Sequence, residues 1–326
     1  MAVQAMFPTA PARAGMYESF YLRAVSPDEP VGVWIRHTVH KPPGGEPRGS
    51  VWCTVFDARA GAPYMHKVSG EQLSAPAGGW IAIGESAIEH GRAHGNCGDA
   101  RWELAFASEH PELRHLSPAW LYRAPLPRTK LTSPAPRASF DGVVELAGRE
   151  PIEVRDWPGM VGHNWGSQHA ERWIWLHGVA FEDQPAAWLD VAFGRVKIGG
   201  RTSPWRAAGA VFFDGRRRRL GGLSARAATV LEAGPHGCTV ELSGAGGLRV
   251  RADAIVPAQT AAGWRYADPD GGTHDVINCS IASLELSLTP ERGAPTVRMR
   301  SARGCAYELG VREHTHGVPI APFADG

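Results

Sequence analysis

Short apolar runs broken every few residues by Gly or Pro leave this chain almost nowhere to wind a helix. Gly (39) and Pro (26) make up about a fifth of the 326 residues. Both residues end helices and mark turns. No segment carries a 3.6-residue apolar stripe longer than two turns. The spacing instead predicts strands, among them Val31–His40, Ser50–Phe56, Trp80–Glu89, Trp173–Glu182, Ala187–Ile198, Val276–Leu288 and Cys305–Arg312. Strands at this density without intervening helices give an all-β fold class, built as barrels or sandwiches. The Pro-rich, basic stretch between Pro125 and Ala138 reads as a domain linker or a strap over one barrel.

Charge narrows the partners. Lys plus Arg is 34 against 33 for Asp plus Glu, without the positive excess that a nucleic-acid or polybasic membrane partner calls for. No apolar run approaches the roughly 20 residues of a membrane helix. The N-terminus lacks an apolar core of signal-peptide length, so the expected location is cytoplasmic. The five cysteines are scattered and never spaced C-x-x-C, which argues against a disulfide framework or a cysteine zinc site. His90, His94 and Cys97 are spaced as metal ligands could be, but no second ligand cluster accompanies them, and no metal is expected. The chain has no G-x-S-x-G elbow, H-E-x-x-H helix, P-loop or dinucleotide fingerprint. His314 and His316 read as exposed, and Asp214-Gly215 ahead of Arg216–Arg219 reads as a solvated hairpin turn.

Alternation along strands singles out polar residues on apolar faces. Glu18 shares a face with Met16, Phe20 and Leu22, and Arg36 shares one with Trp34 and Thr38. A buried charge is costly unless paired, so Glu18 and Arg36 are candidate partners. Trp173–Glu182 is apolar on both faces, with Trp173, Trp175 and His177 on one of them, as in a central strand covered on both sides. Asp190 lies on a face with Trp188 and Ala192. Desolvation there would raise its pKa and favour a proton-donating form, with a core Asp bonded to backbone as the alternative.

The segment Val161–His177, VGHNWGSQHAERWIWLH, resembles the N-W-G…W-x-W signature of tocopherol cyclases. It is also similar to the D-H-x-W-G and E-W-S-S-Q signatures of carotenoid hydratases (hydroxyneurosporene synthase). Asn164, Trp165 and Gly166 carry the first part, Ser167 and Gln168 the second, and Trp173 and Trp175 the third. MYESFYLR, with Glu18, Tyr21 and Arg23, is similar to the F-E-G-W-Y-x-R opening of the cyclases. Gly304–Glu308 resembles the G-x-x-Y-x-E of a last strand. The resemblance implies two lipocalin-like β-barrel or β-sandwich domains, expected over residues 1–160 and 161–326. It also implies a hydrophobic isoprenoid- or polyketide-like ligand and no cofactor. Relatives include hydratases and cyclases, which protonate an alkene, and Diels–Alderases, which need no acid. Aromatic walls suit a cationic intermediate.

One departure bears on the chemistry. Gly162 stands where hydratase-like members place an acid, and Asn164 where others place Glu. His163 could take over proton donation, as could Glu18, Asp190 or Glu308, or no proton is donated. The leading expectation is a cofactor-independent cyclase, isomerase or hydratase. Its ligand would be held by Trp34, Arg36, Asn164, Trp165, Gln168, Trp173, Trp175, His177, Trp188 and Glu308, with His163, Asp190 or Glu18 catalytic. The alternative is a non-catalytic carrier with the same pocket. The oligomeric state is left open by the sequence.

Overall fold

The computed structural model describes residues 3–70, 72–222, 224 and 227–323, and the fold is all-β. Almost every strand pairs antiparallel with a neighbour close in sequence, and the strands sort into two large sheets of 12 and 10 strands. The end strands of the first sheet, Tyr64–Gly70 and Leu73–Ser74, are sequence neighbours, so the sheet curls until its edges nearly meet. The second sheet ends on Arg216–Gly221 and Ala228–Gly234, and a bridge from Leu220 to Gly244 draws it towards closure. Near-closure removes most of the exposed edge that an open sheet would present. Among the described residues, no helix is long and apolar enough to cross a membrane.

The chain passes from one sheet to the other across residues 167–171. Ile152–Gly166 pairs along its length in the first sheet, against Met16–Val25 and Thr129–Leu146. Val161–Gly166, at the start of the expected second domain, therefore belongs to the first sheet.

The Pro-rich stretch read as a linker or strap is, from Thr129 onward, the start of the 18-residue strand Thr129–Leu146. Its register against Ile152–Gly166 shifts between Thr132 and Ala135 and again before Ala138. Pro134 and Pro136 sit in those irregularities, where a residue without an N–H leaves no ladder bond unmade. Trp173–Glu182 also differs from expectation, because the strand Arg172–Gly178 stops short of Ala180, whose φ is 55°. It is nonetheless flanked on both sides, by Trp188–Arg195 and Val297–Val311. The Asp214-Gly215 hairpin forms, with Phe213 opposite Arg216 and both turn residues at positive φ.

Phe20, Leu22, Ile35, Val51, Leu104 and Phe140 are among the residues that fill the first barrel. The opposite face of its strands packs on the second sheet. There Trp264 meets Trp34 and Trp52 at ring-centroid distances of 6.3 and 5.0 Å. Deeper in this seam the buried Arg23 guanidinium donates to the Gly304 and Ser280 carbonyls and, at 3.0 Å, to His177 Nδ1. His177 Nε2–H donates to the Pro136 carbonyl at 2.9 Å. Burial, then the Arg23 charge, lower the His177 pKa to about 3, so the ring is neutral and structural. His316 is drawn in, 3.2 Å from Oδ2 of the buried Asp275, whereas His314 stays exposed as expected while lying 2.7 Å from the same oxygen.

Candidate functional site

A cavity of about 760 Å³ opens where the two sheets face each other. Antiparallel pairing explains which side chains reach it. Tyr21 stands opposite Arg36 and Gly162, and Ser19 opposite Thr38 and Asn164, so these residues share one face of the first sheet. On the second sheet Trp175 stands opposite Ala192 and Glu308, and Trp173 opposite Gly310. Tyr17, Tyr21, Trp34, Arg36, Asn164, Trp173, Trp175, Tyr266 and Glu308 line the cavity, and Trp120 and Leu126 stand exposed on one side of it.

Two glycines let aromatic rings lie flat on that wall. A Cβ at Gly162 would fall 2.2 Å from Tyr21 Cζ, and one at Gly310 would fall 2.2 Å from Trp173 Cε2. Gly162, the position where an acid was expected, is thus occupied in space by the Tyr21 phenol. Burial, then the charges of Asp190 and Glu308, push the Tyr21 pKa well above its usual value, which keeps the phenol a hydrogen-bond donor. Gly162→Ala is expected to displace that ring and cost about 1–3 kcal/mol of stability. Urea unfolding of the variant measures it, and an unchanged midpoint would mean the wall is soft there.

Glu308 accepts Trp173 Nε1–H at 2.8 Å, and the Tyr266 hydroxyl and Asn278 amide at 3.3 Å each. Asn164 Oδ1 accepts from the Ser19 hydroxyl at 2.8 Å. Of the residues expected from sequence, the structure brings Trp34, Arg36, Asn164, Trp173, Trp175 and Glu308 together around the cavity.

The others are placed elsewhere. Glu18, His163 and Trp165 project from the opposite face of the first sheet, because Glu18 is paired with Val39 and Trp165. His163 Nε2–H donates to Glu18 Oε1 at 2.7 Å, and the imidazole stacks on Phe20 and Trp165 at 4.0 and 4.5 Å. The Glu18 carboxylate also takes the Met6 and Phe7 N–H groups. The expected Glu18–Arg36 pair is therefore corrected: alternation puts the two on opposite faces of one sheet. His177 is spent on Arg23 and Pro136. Gln168 Oε1 accepts from Arg128, and Trp188 packs beside His110 and Phe212, away from the lining.

Asp190 is fully buried just behind the wall. Its Oδ2 takes the Ser133 hydroxyl, its Oδ1 takes Trp175 Nε1–H at 3.0 Å, and His115 Nε2 lies 3.1 Å from Oδ1. The expectation of a raised pKa is reversed here. Burial alone pushes the carboxyl up, but His115, His177 and Ser133 together outweigh it and hold it at about 2. Asp190 is an anion that orients its neighbours and cannot itself be the proton donor at neutral pH.

The sign of its effect on stability follows. With the folded pKa below the unfolded value, the contribution is present above about pH 4 and lost as pH falls through about 2. Wild type should lose ~2 kcal/mol more than Asp190→Asn across that window. Parallel urea titrations at the two ends would show it, and equal losses would mean the carboxylate is not held down.

His115 faces the cavity in front of Asp190. Its Nε2 lies 3.1 Å from Asp190 Oδ1, and neither of its buried ring nitrogens makes a hydrogen bond. Sequence reading missed it, since His115 follows a two-residue strand, Leu113–Arg114, too short to show alternation. That strand pairs with Thr132 and Ser133, which carries His115 to the Ser133–Asp190 contact. Arg217 and Arg219 help fix the approach by donating to the carbonyls of Pro111, Glu112 and Arg114.

A second histidine on the lining, His169, stacks on Tyr17 at 3.8 Å. Its backbone N–H and Nδ1–H both donate to Asp268 Oδ1, at 2.7 and 2.8 Å. His274 Nδ1 lies 3.7 Å from Asp268 Oδ2, and the three residues offer ligand atoms within 4.8 Å of one another, so this group could hold a metal ion. Arg312 Nη2, 3.4 Å from Asp268 Oδ2, already supplies a cation there.

No family model matches the chain. Over 181 residues it is 28% identical to uncharacterized proteins from two strains of Mycobacterium tuberculosis, covering 53% of this chain and 52% of theirs. The chain thus spans about half the length of the curated relatives it matches. Among solved structures it is similar to CghA, with a TM-score of 0.60 and 11% identity over 91% of this chain and 88% of that one. It is also similar to a Nitrosomonas europaea protein assigned as an AttH, with a TM-score of 0.56 and 13% identity over 95% and 96% of the two chains. Kievitone hydratase from Nectria haematococca follows, with a TM-score of 0.50 and 9% identity over 97% and 94%. Likeness at these identities carries the fold: two nearly closed, lipocalin-like β-barrel domains.

Proposed function

We propose that this chain is a hydratase, cyclase or isomerase that acts, without a cofactor, on a small hydrophobic molecule held in the cavity between the sheets. One observation carries the reading: His115 stands on the cavity wall with the buried, ionised Asp190 directly behind it. A carboxylate so placed fixes the ring's orientation. The imidazolium gives a proton to an alkene or carbonyl of the ligand. The ring faces of Tyr21, Trp173 and Trp175 shelter the positive charge that results. Water or a hydroxyl of the ligand then adds to the cation, and the neutral His115 takes up the proton that the nucleophile releases. The names of the structural neighbours, kievitone hydratase among them, support a small-molecule enzyme of this general kind.

The test is a paired extraction. Wild type and His115→Ala are purified from the same host, denatured, extracted with organic solvent and analysed by mass spectrometry. A hydratase predicts a wild-type ligand heavier than the variant's by one water. A cyclase or isomerase predicts two ligands of equal mass and different retention. The same compound in both extracts would point to a carrier and sink the enzymatic reading.

A further inference from the structure

Arg36 is 5% exposed, yet no carboxylate pairs with it among the described residues and its buried Nη1 has no hydrogen-bond partner. Three other buried cations behave differently. Arg23 donates to the Gly304 and Ser280 carbonyls, Lys41 to those of Ala12 and Ala14, and Lys130 to those of Ala124 and Pro127. Arg36 instead rests on ring faces. Its Cζ lies 4.0 Å from the Tyr266 centroid, 5.6 Å from Trp52 and 5.9 Å from Trp34. Stacking occupies the flat of a guanidinium and leaves its N–H edge unused. That edge belongs to a residue on the cavity wall.

The acids around the cavity are already engaged. Glu308 holds Trp173, Tyr266 and Asn278; Asp190 holds Ser133, Trp175 and His115; Asp268 holds His169 and lies beside Arg312. A buried charge without a counterion is costly, and here the missing acceptor is not supplied by the described residues. We infer that the cavity takes an apolar molecule ending in an oxyanion, a carboxylate or an acidic enol, whose oxygens receive the N–H edge of Arg36. This rests on the proposed binding of a hydrophobic molecule between the sheets and adds the chemistry of its polar end. Arg36 then fixes which end of the molecule enters first, and the apolar remainder lies along the tryptophans.

Isothermal titration with a matched pair of probes tests it. Sodium dodecanoate and dodecanol share a chain and differ in the head, and at about pH 8 the acid is ionised. Wild type is expected to bind dodecanoate about tenfold tighter than dodecanol, as a charge-assisted bond to a desolvated guanidinium implies. Arg36→Gln should erase that difference by weakening dodecanoate, and Arg36→Lys, which keeps the charge and loses the fork, should restore only part of it. Equal affinities in wild type would overturn the inference and leave the hydrophobic cavity standing. A preference that survives Arg36→Gln would overturn it too, since the anion would then sit elsewhere. Binding of neither probe would overturn the inference together with the cavity reading beneath it.

Discussion

Replacing His115 with alanine is expected to lower turnover by about 10²–10⁴-fold, the usual contribution of a positioned general acid. Ligand affinity should change little, because the apolar walls that hold the ligand remain. Asp190→Asn should lower the rate by a smaller factor. The amide can keep the Ser133 and Trp175 contacts but removes the charge behind the ring. Since Asp190 is held at about 2, its own titration lies far below neutrality. The pH–rate profile should therefore show no limb from Asp190 above about pH 4. Single-turnover assays on the compound recovered by extraction, paired with direct binding measurements, separate the two effects. Full turnover by His115→Ala would remove the dyad from the mechanism. Matched losses of turnover and affinity would instead assign His115 to binding.

The all-β class was legible because Gly and Pro punctuation is a local signal, and so was the double-sided burial of the strand around Trp175. Alternation also placed Trp34 and Arg36 on one face correctly. It could not say that Glu18, on the strand paired with theirs, points the other way, because that depends on cross-strand register, which no single strand encodes. His115 was illegible for a related reason. Its neighbours form a strand of two residues, and its partner Asp190 lies far along the chain in the other sheet. Asp190 itself was found, but its charge state was read with the wrong sign. Burial was inferred correctly from the apolar set around it, whereas the compensating groups, His115, His177 and Ser133, come from segments the alternation of its own strand does not mention. Gly162 was visible as a departure from the resembled families. The reason for it, a tyrosine ring from the neighbouring strand lying on the glycine, needs the pairing of Tyr21 with Gly162.

Glu18→Ala should cost about 3–5 kcal/mol of stability, the loss expected when one partner of a buried polar group is removed. The carboxylate gathers the N–H groups of Met6 and Phe7 and the His163 ring inside the first barrel. Alanine would leave these donors unmatched in a place that water does not reach. Glu18→Gln should cost less, since its amide oxygen still accepts part of the set. Paired substitutions identify the partner. Glu18→Ala with His163→Phe should be non-additive by more than about 1 kcal/mol, because the two side chains touch. Glu18→Ala with Arg36→Gln should be additive within about 0.5 kcal/mol, because the sheet lies between them. Urea unfolding of the three single and two double variants gives both cycles. The opposite pattern, coupling to Arg36 and none to His163, would require the first strand to be shifted by one residue, which turns every side chain on it to the other face. The same shift would take Tyr21 out of the cavity and put Glu18 into it, so this stability measurement also tests which residues of the first barrel can reach a ligand.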